Sequence, residues 1–229
     1  MAIPYHPFTL TWSAVAVFTL VGGGLLGRDR SWLRPSEISL GIAGLCLWTF
    51  KVIWFSQPTD GRDPYVPLHL CNFAEVASYL SLITAWRWIK PLVYFWSLGA
   101  LQAFISPIDR SEPNTLDYWL FWIPHVMIVG MAIYEVVVRR FRPTFRDLGI
   151  AILATLIYTG IVLPYNLVFD ANYGYVGQST PKVPTIIDHL GPWPLRVIFL
   201  ALMTVGVFVL AWLPWAIASL NGTQPKNTS

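Results

Sequence analysis

Residues 197–219 read VIFLALMTVGVFVLAWLPWAIAS, a run without a single charged side chain. An α-helix rises about 1.5 Å per residue, so roughly 20 apolar residues are needed to cross a bilayer. Comparable runs recur along the chain, and they predict helices at about 8–27, 35–56, 66–86, 90–107, 117–138, 147–169 and 193–219. The sequence therefore predicts an all-α polytopic membrane protein, a bundle of seven transmembrane helices.

The composition favours the same class. Of 229 residues, 55% are apolar and only 12% are charged, whereas soluble domains are usually about 25% charged. No hydrophilic stretch is long enough for a separate soluble domain, so we expect residues 1–229 to form a single seven-helix transmembrane domain. Cys46 and Cys71 fall in different predicted spans at different depths, which argues against a disulfide between them.

The basic residues divide unequally between the two sides of the predicted bundle. One side carries ten of them, namely Arg28, Arg30, Arg34, Arg87, Lys90, Arg139, Arg140, Arg142, Arg146 and Lys226. The other side carries four, namely Arg62, Arg110, Lys182 and Arg196. The positive-inside rule then predicts that the N-terminus lies outside and the C-terminus in the cytoplasm. The expected location is the cell membrane, as a multi-pass protein.

Several polar side chains fall near the same end of the predicted spans. They are Lys51, His69, Cys71, Asn72, Glu75, Gln102, His125 and Asn166. Polar groups are costly in hydrocarbon, so a shared depth indicates a shared site. The predicted orientation places this site in the outer half of the membrane.

A cysteine beside a histidine can act as a nucleophile, because the imidazole accepts the thiol proton. In a helix over 66–86, Cys71 shares a face with Glu75, while His69 points elsewhere. The base for Cys71 must then come from another helix, and His125 is the only histidine inside another span. The alternative is that Cys71 is a small apolar residue and that His125 makes an interhelical hydrogen bond.

The remaining polar residues have supporting interpretations. Glu75 is expected to pair with Lys51, and Glu135 to form an interfacial ion pair with Arg139 one turn later. An oxyanion could be stabilised by one of three polar donors, namely Lys51, Asn72 or Gln102. The chain also contains metal-ligand types, namely His69, Cys71, His125 and His189. Their spacing lacks a tight ligand pattern, so neither a metal nor a cofactor is expected.

Short motifs resemble a known family. The run His69-Leu-Cys-Asn72 resembles the signature of the YwaF family of integral membrane proteins. Further similar pieces follow in order over about residues 65–215, namely Gly99-Ala-Leu-Gln102, Phe121-Trp-Ile-Pro-His125, Asn172-Tyr-Gly-Tyr175 and Gly191-Pro-Trp-Pro194. Animal relatives of that family are described as cysteine- and histidine-dependent phospholipid acyltransferases.

The resemblance implies roles for particular residues. Cys71 would be the nucleophile and His125 its base, with Asn172 and Tyr173 among the residues that support the site. The partner would be a membrane phospholipid, and the location a bacterial inner or plasma membrane. The first hypothesis is therefore an acyltransferase or lipase-like enzyme acting on phospholipid acyl chains through a Cys-His pair.

Two other functions remain open. Intramembrane lysine, glutamate and histidine also suit a transporter of a small polar solute or proton. A lipid-binding protein could use the same pocket without covalent chemistry. Against transport, the sequence offers no comparable set of polar residues in the cytoplasmic half. No nucleic-acid partner is expected, and the sequence leaves the oligomeric state open.

Overall fold

The computed structural model describes residues 6–57, 65–179 and 185–220. This part of the chain forms helices α1 (Phe8–Gly27), α2 (Leu33–Ser56), α3 (Leu70–Thr84), α4 (Lys90–Ala100), α5 (Gln102–Ile105), α6 (Leu116–Val137), α7 (Phe145–Phe169) and α8 (Leu195–Leu220). Two short 3-10 helices, Tyr173–Tyr175 and Ile186–Leu190, lie between α7 and α8. The described residues contain no strand, and a helix occurs at each of the seven predicted positions.

Five of these helices are long and apolar enough to cross a membrane, namely α1, α2, α6, α7 and α8. Helix α3 is apolar but has only 15 residues, and α4 has 11 before Leu101 separates it from the four-residue α5. The described chain is therefore an all-helical protein of multi-pass membrane character. The count of seven crossings and the sidedness of the termini stay predictions.

Contacts between helix ends define the direction of the chain. Arg28, just after α1, donates to the carbonyl oxygen of Val137 at the end of α6 over 2.7 Å. Arg34, at the start of α2, donates to the carbonyl oxygen of Leu82 near the end of α3 over 2.6 Å. Helices α1, α3 and α6 therefore end on the side where α2 begins, and the basic loop residues gather there.

Helix α6 lies at the centre of the bundle, where it packs against α1, α3 and α4. Its side chains Trp122, Ile128 and Met131 are almost fully buried. Helix α2 approaches α3 closely because Gly44 lies against the ring of Tyr79. Helices α7 and α8 instead expose many apolar side chains, as expected of a surface that faces lipid.

A second polar cluster lies at the end of α3 opposite Cys71. Its members are Glu37, Ser81, Lys90, Tyr134, Glu135 and Arg139. The expected pair between Arg139 and Glu135 is present at 2.7 Å, and Arg139 also pairs with Glu37 at 3.0 Å. Glu135 is fully buried, so the pair lies within the helix packing at this end of the bundle, while its depth in the membrane stays a prediction.

The expectation that the predicted cytoplasmic half lacks a comparable polar set was wrong, because this second cluster lies there. The members of this second cluster come from α2, α3, α4 and α6 and from the residues just after α6. They are far apart in the sequence, so no linear spacing reveals that they meet. Only the packing of four helices brings them together.

Candidate functional site

One cavity of about 840 Å³ brings most of the predicted site residues together. Side chains from α2 to α8 line it, and its size is that of a typical ligand pocket. Seven of the predicted polar residues contribute to its wall, namely Lys51, His69, Cys71, Asn72, Glu75, Gln102 and His125. Cys46, by contrast, is exposed and lies outside this wall.

Cys71 is the second residue of α3, because the helix begins at Leu70. The first backbone N–H groups of a helix lack intrahelical acceptors, and this end of the helix favours an anion. A helix N-terminus therefore favours a thiolate, whereas the apolar burial of Cys71 opposes it. The thiol needs a base to take its proton.

His69 precedes α3 and has an extended backbone, with φ −68° and ψ 145°. The prediction of a helix starting at residue 66 was therefore wrong. The expectation that His69 points away from the site of Cys71 was wrong as well. Helical periodicity does not apply to a residue that caps the helix. Both His69 and Cys71 line the cavity.

His125 lies on α6, and its orientation is fixed by a backbone bond. Its Nδ1 lies 2.6 Å from the carbonyl oxygen of Phe121, one turn earlier. A carbonyl only accepts, so Nδ1 carries the hydrogen and Nε2 remains a proton acceptor. No hydrogen bond joins His125 to Cys71 among the described residues, although both line the cavity. Such bonds often form only when substrate is bound.

Lys51 and Glu75 form the expected ion pair between α2 and α3. Both side chains are buried, with 6% and 1% of their surface exposed. Tyr79 also donates to Glu75, over 3.4 Å. The charges of the pair act on the Cys71 sulfur with opposite signs. The ammonium of Lys51 is thus already engaged by a carboxylate.

Two amide side chains on the cavity wall have partly satisfied hydrogen bonds. The hydroxyl of Tyr65 donates to Oδ1 of Asn72 over 2.9 Å. The Nε2 group of Gln102 donates to the carbonyl oxygen of Ser106 over 2.9 Å. The amide N–H groups of Asn72 therefore stay available for other acceptors. One amide N–H of Gln102 is already engaged by the carbonyl oxygen of Ser106.

Asn166 and Tyr173 support the site from behind its wall. Asn166 is fully buried and bonds the backbone of Tyr173 twice, donating to its carbonyl oxygen over 2.8 Å and accepting from its N–H over 2.9 Å. The Tyr173 hydroxyl accepts from the N–H of Val66 over 3.2 Å. The next N–H along, that of Gly174, donates to Nδ1 of His69 over 3.4 Å. These residues therefore position His69.

Asn172 holds the turn that follows. Its Oδ1 accepts from the N–H of Gly177 over 3.0 Å, and Arg196 of α8 donates to the carbonyl oxygen of Gly177 over 2.6 Å. Arg196 is buried, although its sequence position suggested an ordinary loop charge. A lone arginine at the start of an apolar helix was the one signal that could have revealed it.

Sequence reasoning also missed two tyrosines of the cavity wall, Tyr65 and Tyr158. The hydroxyl of Tyr158 donates to the carbonyl oxygen of Leu68 over 2.8 Å. Tyr158 lies within the predicted 147–169 helix, where a polar hydroxyl at depth was the available signal. Tyr65 lies in a loop, where no pattern in the sequence indicated a role in the site. His189, one of the four considered metal ligands, is exposed and lies outside the cavity wall.

The cavity reaches the outer surface of the bundle through an apolar side. Leu156 of α7 and Met203 of α8 line it, and 63% and 44% of their surfaces are exposed. Leu101 and Ile105, which line the wall near α5, are exposed as well. The apolar lining of this opening is chemically suited to a hydrocarbon chain.

A family model described as the TMEM164 family matches residues 4–212. The chain belongs to the TMEM164 family. The expected membership of the YwaF family was wrong, because the matching model names a different family. That expectation was based on motifs of four or five residues, such as His69–Asn72, which are too short to identify a family.

One relative of this TMEM164 family member comes from Treponema pallidum (strain Nichols) and is described only as "Uncharacterized protein". The two are 29% identical over 131 residues, which cover 56% of this chain and 55% of the relative. The match thus spans about half the length of that relative. No solved structure matches the chain.

Proposed function

We propose that this TMEM164 family member is a membrane acyltransferase that acts on phospholipid acyl chains. Cys71 is the nucleophile and His125 is the base. The observation that carries the proposal is the composition of one cavity, which joins a thiol at a helix N-terminus and an imidazole with an accepting Nε2 to an apolar opening.

The first half of the reaction forms an acyl-enzyme. Nε2 of His125 takes the proton of Cys71, and the sulfur attacks the ester carbonyl carbon of the lipid. The carbonyl electron pair moves to oxygen and then returns, expelling the glycerol oxygen. That oxygen takes the proton from His125 and leaves as the hydroxyl of a lysophospholipid. The acyl chain remains on Cys71 as a thioester.

The second half releases the acyl chain. The hydroxyl of an acceptor lysolipid gives its proton to His125 and attacks the thioester carbonyl. The Cys71 sulfur leaves and recovers a proton, so the enzyme returns to its starting state. Water in place of the lysolipid gives hydrolysis. The apolar walls favour transfer, because they limit the access of water to the thioester.

The proposed setting is the cell membrane, with seven crossings, the N-terminus outside and the C-terminus in the cytoplasm. The basic residues gathered at one end, including Arg28 and Arg34, support this orientation. The cavity then lies in the outer half of the membrane. A phospholipid of the outer leaflet reaches it from the side, past Leu156 and Met203.

The alternative is a transporter or a lipid-binding protein that uses the same pocket without covalent chemistry. The second polar cluster would be the inner half of a transport path. Its groups, however, serve the packing of helix ends, since Arg139 donates to the carbonyl oxygen of Ser81 near the end of α3. Transport predicts that Lys51 and Glu75 matter more than Cys71.

The test is acyl exchange by the purified protein in lipid nanodiscs. The nanodiscs contain a phospholipid with an isotopically labelled acyl chain and an unlabelled lysophospholipid as acceptor, and mass spectrometry follows the label. Wild type and Cys46→Ala are expected to move the label, while Cys71→Ala and His125→Ala lose this ability. Exchange by Cys71→Ala at the wild-type rate, or no labelled product from wild type, contradicts the proposal.

A further inference from the structure

The hydrogen bond from Gly174 determines which nitrogen of His69 carries a hydrogen. The backbone N–H of Gly174 donates to Nδ1 of His69 over 3.4 Å. A backbone N–H only donates, so this Nδ1 is the unprotonated nitrogen of the ring. A neutral imidazole then carries its hydrogen on Nε2. No described residue forms a hydrogen bond with that Nε2, although the side chain of His69 lines the cavity.

The two histidines of the cavity are therefore held in opposite tautomers. His125 has its hydrogen on Nδ1 and presents an accepting Nε2, while His69 presents a donating Nε2–H. Because Nδ1 of His69 accepts from the backbone N–H of Gly174, it carries no hydrogen and the ring is neutral in this arrangement. A neutral imidazole fixed in this way is a hydrogen-bond donor suited to an oxygen that gains negative charge.

We infer that His69 is a further catalytic residue, whose Nε2–H stabilises the oxyanion formed when Cys71 attacks the ester. This inference rests on the proposed acyltransferase function. The sulfur–carbon bond forms while the carbonyl π pair moves to oxygen, and that oxygen accepts the hydrogen bond from His69. When the oxyanion collapses, the pair returns and the glycerol oxygen leaves, taking its proton from His125. His69 keeps its own hydrogen throughout.

The engagement of two other predicted donors favours His69. Lys51 is bound by the carboxylate of Glu75, and Gln102 already donates to Ser106. Asn72 has only its Oδ1 engaged, so its amide supplies a second donor on the same cavity wall. His69 and Asn72 flank Cys71 along the chain, one on each side.

The surroundings of His69 hold its ring in one place. The rings of Tyr173 and Tyr175 pack against it, with centroid distances of 5.2 and 5.9 Å. Buried Asn166 fixes the backbone of Tyr173 by two hydrogen bonds. Asn166 is thus a positioning residue, which acts on the reaction through Gly174 and His69. Donors fixed in advance stabilise an oxyanion most, because they need no reorganisation during the reaction.

The test compares two electrophiles that react with Cys71 in the full-length protein in nanodiscs. A p-nitrophenyl ester acylates the sulfur through an oxyanion, whereas iodoacetamide alkylates it by direct displacement without one. In His69→Ala, acylation is expected to fall by about 10²–10³, as for loss of one oxyanion donor, while alkylation stays close to the wild-type rate. In His125→Ala both reactions slow. His189→Ala, at an exposed histidine outside the cavity wall, is the control and changes neither.

A second pair of variants tests the position of the donor and replaces His69→Ala if that variant fails to fold. The amide nitrogen of His69→Gln reaches the place of Nε2, while that of His69→Asn reaches only the place of Nδ1. His69→Gln is expected to acylate faster than His69→Asn. The inference is wrong if both electrophiles slow equally in His69→Ala, if acylation is unaffected, or if the two amide variants react alike. Failure of wild type to acylate Cys71 overturns the proposed function and this inference with it.

Discussion

Nδ1 of His125 lies 2.6 Å from the carbonyl oxygen of Phe121, one helical turn earlier on α6. The ring of Phe121 also packs on the imidazole at a centroid distance of 4.3 Å. The two contacts fix the orientation of the imidazole and leave Nε2 to accept a proton. A base held in this way by its own helix is what the proposed mechanism requires.

The first prediction concerns this base. His125→Gln keeps a polar side chain of similar reach but removes the accepting imidazole nitrogen, so acylation of Cys71 is expected to fall by about 10²–10⁴. Single-turnover labelling with an acyl ester, followed by intact mass, measures the loss. Raising the pH is expected to recover part of the rate, because hydroxide then generates the thiolate. A His125→Gln variant that acylates at the wild-type rate would assign the base elsewhere.

The second prediction concerns the buried ion pair of Lys51 and Glu75. Lys51→Met alone leaves a buried carboxylate without its partner, and we expect a loss of about 3–5 kcal/mol in the free energy of unfolding. The double variant Lys51→Met/Glu75→Gln removes both charges and is expected to regain most of that stability. Denaturant unfolding in detergent measures both. A double variant as unstable as the single one would show that the loss does not come from the unpaired carboxylate.

The third prediction concerns the apolar opening. Leu156 lies where the cavity meets the outer surface of the bundle, and the larger side chain of Leu156→Trp narrows this opening. The variant is expected to slow transfer of a long acyl chain more than acylation by a short soluble ester. Leu153→Trp is the matched control, because Leu153 is on the same helix and 59% exposed but does not line the cavity. The ratio of the two rates is the readout. If this ratio is the same in Leu156→Trp and Leu153→Trp, the lipid does not enter past Leu156.

The fourth prediction concerns orientation. Single cysteines are introduced at two exposed positions, as Arg30→Cys and Asn114→Cys. The background carries Cys46→Ser and Cys71→Ser, so that no native cysteine reacts. A membrane-impermeant maleimide is expected to label the cysteine at 114 from outside cells and the cysteine at 30 only in inverted vesicles. The reverse labelling would show the opposite orientation in the membrane and would place the cavity in the inner half.

Much of the fold could be predicted from the sequence, because hydropathy and chain length dominate in a membrane. A helix occurs at each of the seven predicted positions, and seven predicted polar residues meet on one cavity wall. The pairing of Lys51 with Glu75 was also predictable, because a lone intramembrane charge needs an opposite one. These features depend on local composition and on depth, both of which a linear sequence reports.

Other features depend on backbone conformation and packing, which the sequence does not report. The extended backbone of His69 starts α3 four residues later than predicted, and this shift moves Cys71 to the helix N-terminus. The opposite tautomers of His69 and His125 depend on two backbone groups, at Gly174 and Phe121. The second polar cluster joins residues from four helices, so the sequence alone could not predict it.

The most direct test of the central claim is the mass of the protein after incubation with a phospholipid that carries an isotopically labelled acyl chain. The proposed mechanism predicts a hydroxylamine-sensitive adduct of one labelled acyl group on Cys71, present in Cys46→Ala and absent in Cys71→Ala and His125→Ala. An adduct that persists in Cys71→Ala, or no adduct and no labelled lipid product from the wild-type protein, would contradict it.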